Sequence, residues 1–142
     1  MIKIRKARKD DARSVANLHR GEGWCYDEEV ILNDYWDDDF DKESIIVAEM
    51  DGQVVGTIEL AKAYKARFGF FGVLRRFVVH PDRREKNIGR QLMDYAIEEA
   101  RMIGCTVIEL SIDPKNQRAH KYYSTLGFKD DRTETIMVKL LK

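Results

Sequence analysis

From Val78 to Met93 the chain reads Val-Val-His-Pro-Asp-Arg-Arg-Glu-Lys-Asn-Ile-Gly-Arg-Gln-Leu-Met: a β-branched run, a basic turn and the start of an amphipathic helix. A helix leaves its first backbone N–H groups without intrahelical partners, and its dipole places positive charge there. A turn that gathers several of those groups can hold a phosphate, with Arg83, Arg84, Lys86 and Arg90 adding side-chain charge. Such a segment is equally an ordinary strand-to-helix connection with a solvated turn. It does not choose between the two alone.

A second chemical cluster lies downstream, where Ile108-Glu109-Leu110-Ser111-Ile112 precedes Asn116-Gln117-Arg118-Ala119-His120-Lys121-Tyr122-Tyr123-Ser124-Thr125-Leu126-Gly127-Phe128. This order is a strand, a turn, a short helix and a Gly-Phe exit. Taken together, the two segments resemble the GNAT superfamily, the Gcn5-related N-acetyltransferases. The family's acetyl-CoA signature, Arg/Gln-x-x-Gly-x-Gly/Ala after Val-x-Pro, falls on Val79-His80-Pro81 and then Arg84-Glu85-Lys86-Asn87-Ile88-Gly89, with Leu92 in the helix. Its later motif falls without a gap on Asn116, Ala119, Tyr123, Gly127 and Phe128. The opening Ile-Lys-Ile-Arg-Lys-Ala-Arg-Lys-Asp-Asp-Ala resembles the family's first strand and helix start, so the likeness covers essentially the whole chain. One departure is Asn87, where the family has its first glycine; Asn is among the residues that best tolerate positive φ.

The resemblance implies a site. Backbone groups of Phe77, Val78 and Val79 would bond the pantetheine arm as an added strand, and a backbone N–H among them would polarise the thioester oxygen. The N–H groups of Arg84, Glu85, Lys86, Asn87, Ile88, Gly89 and Arg90 would hold the pyrophosphate. Tyr123 would be the general acid for the departing thiolate and a cofactor contact, and Asn116 would meet the pantetheine arm, cap its own helix, or do both. Adjacent helical residues point about 100° apart, so Tyr122 is expected to pack elsewhere.

The base is not resolved by the motifs. An alkyl ammonium must lose a proton before attack, and the candidates are the strand carboxylates Glu59 and Glu109, acting directly or through water. A solvated strand carboxylate is the alternative for each, and surface positions suffice for His80 and His120. In the family, acceptor choice comes from the first helices and a later loop. Here that region sets Trp24, Tyr26, Tyr35, Trp36 and Phe40 among Asp27, Glu28, Glu29, Asp34, Asp37, Asp38, Asp39, Asp41 and Glu43. It reads as a solvated helix-loop face with core aromatics, or as a site for a cationic amine.

A chain of 142 residues suits one domain, 1–142, with a real core. Formal charge is zero, which gives no bulk electrostatic reason to expect nucleic acid or an anionic membrane. Cys25 and Cys105 are too few for a disulfide framework and lie in no metal-binding pattern, so no metal is expected. With no apolar leader or span, the expected setting is the cytoplasm.

The elements follow from periodicity. A strand around Ile2 and Ile4 leads to a helix capped by Asp10 or Asp11, with Ala12, Val15, Ala16 and Leu18 inward. A second helical region is expected near Glu28 to Trp36. Ser44–Met50 and Gln53–Ala61 read as a hairpin around Asp51-Gly52, and another strand runs from Phe71 to Val79. A helix from Ile88 to Ile103 stops at Gly104; then come a strand from Thr106 to Ile112, a helix from Asn116 to Leu126 and an alternating strand from Thr133 to Leu141. The stretches from Lys62 to Gly72 and from Asp37 to Glu43 read as loops. The fold class is mixed α/β, and the resemblance implies a GNAT fold with a central sheet of about seven strands and about four helices.

The functional expectation is therefore direct acetyl transfer from acetyl-CoA to a primary amine of a small molecule or peptide, by a monomer or homodimer. The rival is a non-catalytic acyl-CoA sensor or interaction module with the same fold.

Overall fold

Pairing of the β-rich runs builds a five-stranded sheet in the order β1-β2-β3-β4-β5, in a computed structural model that describes residues 1–23 and 45–141. The strands are β1 (Ile2–Lys6), β2 (Ile45–Met50), β3 (Gln53–Lys65), β4 (Gly69–Val79) and β5 (Ile108–Glu109). Three α-helices accompany them among the described residues: α1 (Ala12–Gly21), α2 (Ile88–Met102) and α3 (Gln117–Thr125). The first three pairings are antiparallel and β4/β5 is parallel, so the sheet is mixed, as expected. The helix expected near Glu28 to Trp36 and the acidic-aromatic region from Trp24 to Glu43 lie outside the described residues.

Local chemistry explains the first hairpin. Asp51 and Gly52 both have positive φ, 52° and 78°, the two-residue turn whose twist matches flanking strands. Residues 62–72, expected from the sequence to be a loop, instead continue β3 and β4 from Lys62↔Gly72 out to Lys65↔Gly69. Their charged residues lie over rings, with Lys62 Nζ 4.4 Å from the Phe70 centroid and Lys65 Nζ 4.9 Å from that of Phe71. Cross-strand aromatic and cation–π pairs therefore stabilise a ribbon whose glycines and lysines look turn-like in one dimension.

Helices cover both faces of the sheet. Ala12 and Val15 of α1 pack with Ile45 and Val47. On the opposite face Ile88, Leu92, Met93, Ala96 and Ala100 of α2 are buried at helical spacing. Close approach there depends on Gly56, where a Cβ would lie 2.9 Å from Leu92 Cδ1 and 3.3 Å from the Val78 carbonyl oxygen. The helix ends as its sequence requires: Gly104, at φ 90°, donates to the Arg101 carbonyl and Cys105 N–H donates to that of Ala100.

Asp11 does not cap α1 with its side chain. It turns back, taking the Arg8 N–H at 2.7 Å and both Arg5 Nη atoms at 2.8 and 3.0 Å. Burial pushes the Asp11 carboxyl up, but the hydrogen bonds from Arg5 and Arg8 outweigh it and hold the carboxyl below its ordinary range.

The chain divides into two compact units, Met1–Leu110 and Ser111–Lys142. In the second, the strand expected from Thr133 to Leu141 is absent: these residues have no regular structure, and Ile136, Val138 and Leu140 are 79, 88 and 87% exposed. Alternation specifies which residues share a face but supplies no ladder partner, and a lone strand is not stable. The strand expected from Thr106 to Ile112 likewise reduces to Ile108–Glu109, the two residues that pair with β4.

Candidate functional site

In the first unit, β5 pairs β4 only at Gly72↔Ile108 and Val73↔Glu109, while β4 runs on to Val79, so the two strands part over residues 74–79. That opening contains Phe77, Val78 and Val79. A bulge re-aims the same stretch: Thr57 pairs Val78 but Glu59 pairs Arg75, so Ile58 faces two residues, Arg76 and Phe77. The extra residue is taken up with Arg76 in the left-handed region, at φ 48°.

Beyond Val79 the turn closes quickly. His80 N–H donates to the Val55 carbonyl at 2.7 Å, and His80 Nδ1 accepts the Asp82 N–H at 3.2 Å, opening the 3-10 turn Pro81–Lys86. Asn87 then sits at φ 62°, ψ 22°, the left-handed conformation for which glycine is favoured and Asn is tolerated. It leads directly into α2. Gln91 N–H reaches back to the Asn87 carbonyl at 3.3 Å, so the N–H groups of Ile88, Gly89 and Arg90 make up the first turn, which has no earlier helical carbonyls to bond.

Side chains around the turn are less aligned with a phosphate role than the backbone. Arg84 donates from Nε to the Val79 carbonyl at 3.1 Å and from Nη2 to Glu22 at 2.8 Å, tying the turn to the end of α1. Arg90 pairs with Asp94 at 3.5 Å. The backbone of Glu85 and Lys86 belongs to the 3-10 turn; their side chains lie outside the described residues.

The two carboxylates expected as bases have different surroundings. Glu59 is 1% exposed, and both its oxygens lie within 3.3 Å of Arg76 Nη1. Glu109 is partly exposed at the fork between β4 and β5 and accepts from Lys65 Nζ at 3.0 Å. His19, also 1% exposed, lies close enough to Arg76, the partner of Glu59, to feel its charge. Burial and then the charge of Arg76 lower its pKa from 6.5 to about 4, so the imidazole is neutral at pH 7. Neither His19 nor Arg76 stands out by type. The one available signal is spacing, since His19 continues the buried stripe of Ala12, Val15 and Ala16.

In the second unit, the Asn-to-Phe motif is a helix with both ends closed. Asn116 Oδ1 accepts the Ala119 N–H at 3.1 Å, which is an N-cap. Gly127, at φ 95°, donates to the Ser124 carbonyl, and Phe128 N–H donates to that of Tyr123. The Phe128 ring meets the Tyr123 ring at 5.8 Å and 75°. Tyr122 is exposed while Tyr123 is half-buried, and burial, then Tyr122, push the Tyr123 phenol up to about 12.

Among the described residues no group of three or more His, Cys, Asp or Glu is placed to hold a metal ion, and no helix is long and apolar enough to cross a membrane.

A family model described as the acetyltransferase (GNAT) family matches residues 9–128. The chain belongs to the GNAT family. It is 31% identical over 136 residues to an uncharacterized N-acetyltransferase of Archaeoglobus fulgidus, covering 87% of this chain and 90% of that one. It is 37% identical over 84 residues to the aminoalkylphosphonate N-acetyltransferase of Salmonella typhimurium, 58% of this chain; the match spans about half of that relative, 54%. Among solved structures, a possible acetyltransferase from Clostridium difficile superposes with a TM-score of 0.83 at 20% identity, covering 100% of this chain and 99% of that one, a likeness of fold. GNAT acetyltransferases use acetyl-CoA as the acyl donor, and the relatives that bear functional names here are N-acetyltransferases.

Proposed function

We propose that this GNAT protein transfers the acetyl group of acetyl-CoA directly to the primary amine of a small molecule or peptide, in a ternary complex. The observation that carries the reading is the opening of β4 from β5 over Phe77–Val79, followed within a few residues by the left-handed Asn87 and the start of α2. An extended pantetheine arm fits the opened strand, and a pyrophosphate fits the first-turn N–H groups of Ile88, Gly89 and Arg90. In this reading the backbone, rather than Arg84, supplies the main phosphate contacts. The family match crosses from the first unit into the second, which supports one acetyltransferase domain over 1–142. The two separate cysteines support a cytoplasmic setting.

In the reaction the amine nitrogen bonds to the thioester carbon, the C–S bond breaks, and the thiolate takes a proton. A backbone N–H of Phe77–Val79 polarises the carbonyl oxygen. Tyr123 is proposed as the donor; with a phenol near 12 it is protonated at neutral pH. Transfer to a thiolate of ordinary pKa ~8.5 is uphill by about 5 kcal/mol, so donation accompanies C–S cleavage, as full charge develops on sulfur. The ammonium proton leaves to water, with Glu109 at the fork as the assisting carboxylate. Asn116 is proposed to add a pantetheine contact to its capping role. No metal or covalent intermediate enters this scheme.

The Salmonella relative's name supplies the first acceptor to test, an aminoalkylphosphonate, and the exposed Arg75 at the bulge is a cation suited to its acidic group. Thiol release from acetyl-CoA is measured against a panel of amines with and without acidic groups, alongside calorimetric titration with acetyl-CoA. Amine-dependent release is expected, with kcat reduced far more than acetyl-CoA affinity in Tyr123→Phe. Tight binding with no release for any amine supports the sensor instead, and absence of binding defeats the site.

A further inference from the structure

We propose that Glu59 is a positioning residue: from its buried position it pairs with the half-buried Arg76, locks the β4 bulge, and through the bulge sets the backbone of Phe77–Val79. The functional half of this inference rests on the acetyl-CoA site proposed above. Its structural half does not.

The need for a lock comes from the backbone. Arg76 occupies the left-handed region at φ 48°, where a long side chain is strained and persists only when its surroundings impose it. The register break lies between Thr57 and Glu59, so the residue that ends the break on β3 also holds the strained residue on β4. Glu59 brings both oxygens within 3.3 Å of Arg76 Nη1 from a side chain that is 1% exposed. Were Arg76 to relax to an ordinary strand conformation, the register of Val78 and Val79 against Thr57 and Gly56 would shift by one residue: their side chains would exchange faces, and the backbone groups meant for the cofactor would turn toward β3 instead of the opening.

From α1 the side of Arg76 is approached by His19, itself 1% exposed, and on β4 the exposed Arg75 is the register partner of Glu59. The same clamp argues against Glu59 as the base: it can meet an amine's proton only by leaving Arg76 and the interior.

The test compares the wild type with Glu59→Gln and with Glu59→Gln/Arg76→Gly, using amide hydrogen exchange of the free chain and calorimetric titration with acetyl-CoA. In Glu59→Gln, exchange across residues 75–79 is expected to quicken about tenfold relative to β1 and β2, and acetyl-CoA affinity to fall about tenfold. The double variant is expected to recover most of both, because glycine takes this φ without strain and needs no clamp. The kcat/KM profile against pH should keep its wild-type shape in Glu59→Gln. Two results overturn the proposal: unchanged exchange and affinity with collapse of kcat and loss of the acid limb, which makes Glu59 the base, or a double variant as loose as Glu59→Gln. Should Glu59→Gln fail to fold, Arg76→Lys replaces it, with the same quickened exchange expected and wild-type exchange overturning the idea. If the wild type binds no acetyl-CoA the proposed function falls, while the exchange comparison still decides the role of Glu59.

Discussion

Lowering the pH from 7 to 5 should destabilise the first unit through one residue, His19. Its imidazole is 1% exposed, and burial, then the charge of Arg76, lower its pKa from 6.5 to about 4. The folded state therefore binds the proton less readily than the unfolded state, so stability is full above the unfolded pKa and falls as pH drops from about 6.5 towards 4. With those two values, the loss is about 0.2 kcal/mol at pH 7 and about 2 kcal/mol at pH 5, approaching about 3.4 kcal/mol below both. A domain with roughly 5–15 kcal/mol of total stability would show that plainly. Asp11 does not confuse the window: its carboxyl is held below the ordinary range, so its contribution is lost only at more acid pH. The assay is urea unfolding at pH 7, 6 and 5 for the wild type and His19→Gln, which cannot titrate. The wild type should lose about 2 kcal/mol over this range, and the variant should lose little. Equal slopes in the two proteins, or a wild type that gains stability on acidification, would refute the reasoning.

Other consequences are more local. Gly56→Ala places a Cβ 2.9 Å from Leu92 and 3.3 Å from the Val78 carbonyl, so thermal and urea unfolding should show a loss of about 1–3 kcal/mol, with weaker acetyl-CoA binding as α2 shifts from β4. Asp11→Ala leaves the largely buried Arg5 without its bidentate partner; a loss of about 3 kcal/mol at pH 7 is expected, and the difference from wild type should shrink in acid as Asp11 itself protonates. Gly127→Ala meets no atom within 4 Å, so its cost, about 1 kcal/mol or somewhat more, is pure backbone strain, read as faster amide exchange in α3. Asn116→Ala should cost about 1 kcal/mol of the same helix by removing the Ala119 cap, and exchange at the first turn of α3 measures it.

What was legible in the sequence shares one property: the information is local. Asp51-Gly52 forms its turn because both residues accept positive φ, whatever the flanking strands meet later. The period of Ile88, Leu92, Met93 and Ala96 marks the buried face of α2 without reference to the sheet. Asn87 was readable for the same reason, as a left-handed residue in place of a glycine. The misreadings concern partners. Residues 62–72 form a ribbon because Lys62 and Lys65 lie over rings of the opposite strand, which no window on either strand contains. Residues 133–141 alternate as well as β1 does, but β1 has β2 beside it from Ile2↔Met50 to Lys6↔Ile46.

The same distinction separates the halves of the candidate site. The Asn-to-Phe motif reads clearly because five residues serve one short helix: Asn116 closes the start on Ala119, Gly127 and Phe128 close the end, and the closing bond runs to Tyr123 itself. Asn116, by its side chain, and Gly127, by its positive φ, serve the helix before any chemistry is asked of them, whereas Ala119 and Tyr123 contribute only backbone groups to these bonds, so the motif marks Tyr123 by position rather than by reactivity. The carboxylates are the reverse case. Glu59 and Glu109 sit on strands as equivalent-looking acids, and only the third dimension buries one beneath Arg76 and pairs the other with Lys65 at an open fork. A base must exchange protons with an incoming amine, which favours the acid at the opening. An anchor for a strained residue is best held away from solvent, which favours the buried Glu59. The bulge that makes the distinction depends on one extra residue in β4, a matter of register between two strands. It has no signature within either strand, and this is why the residue types alone left both carboxylates as candidates for one role.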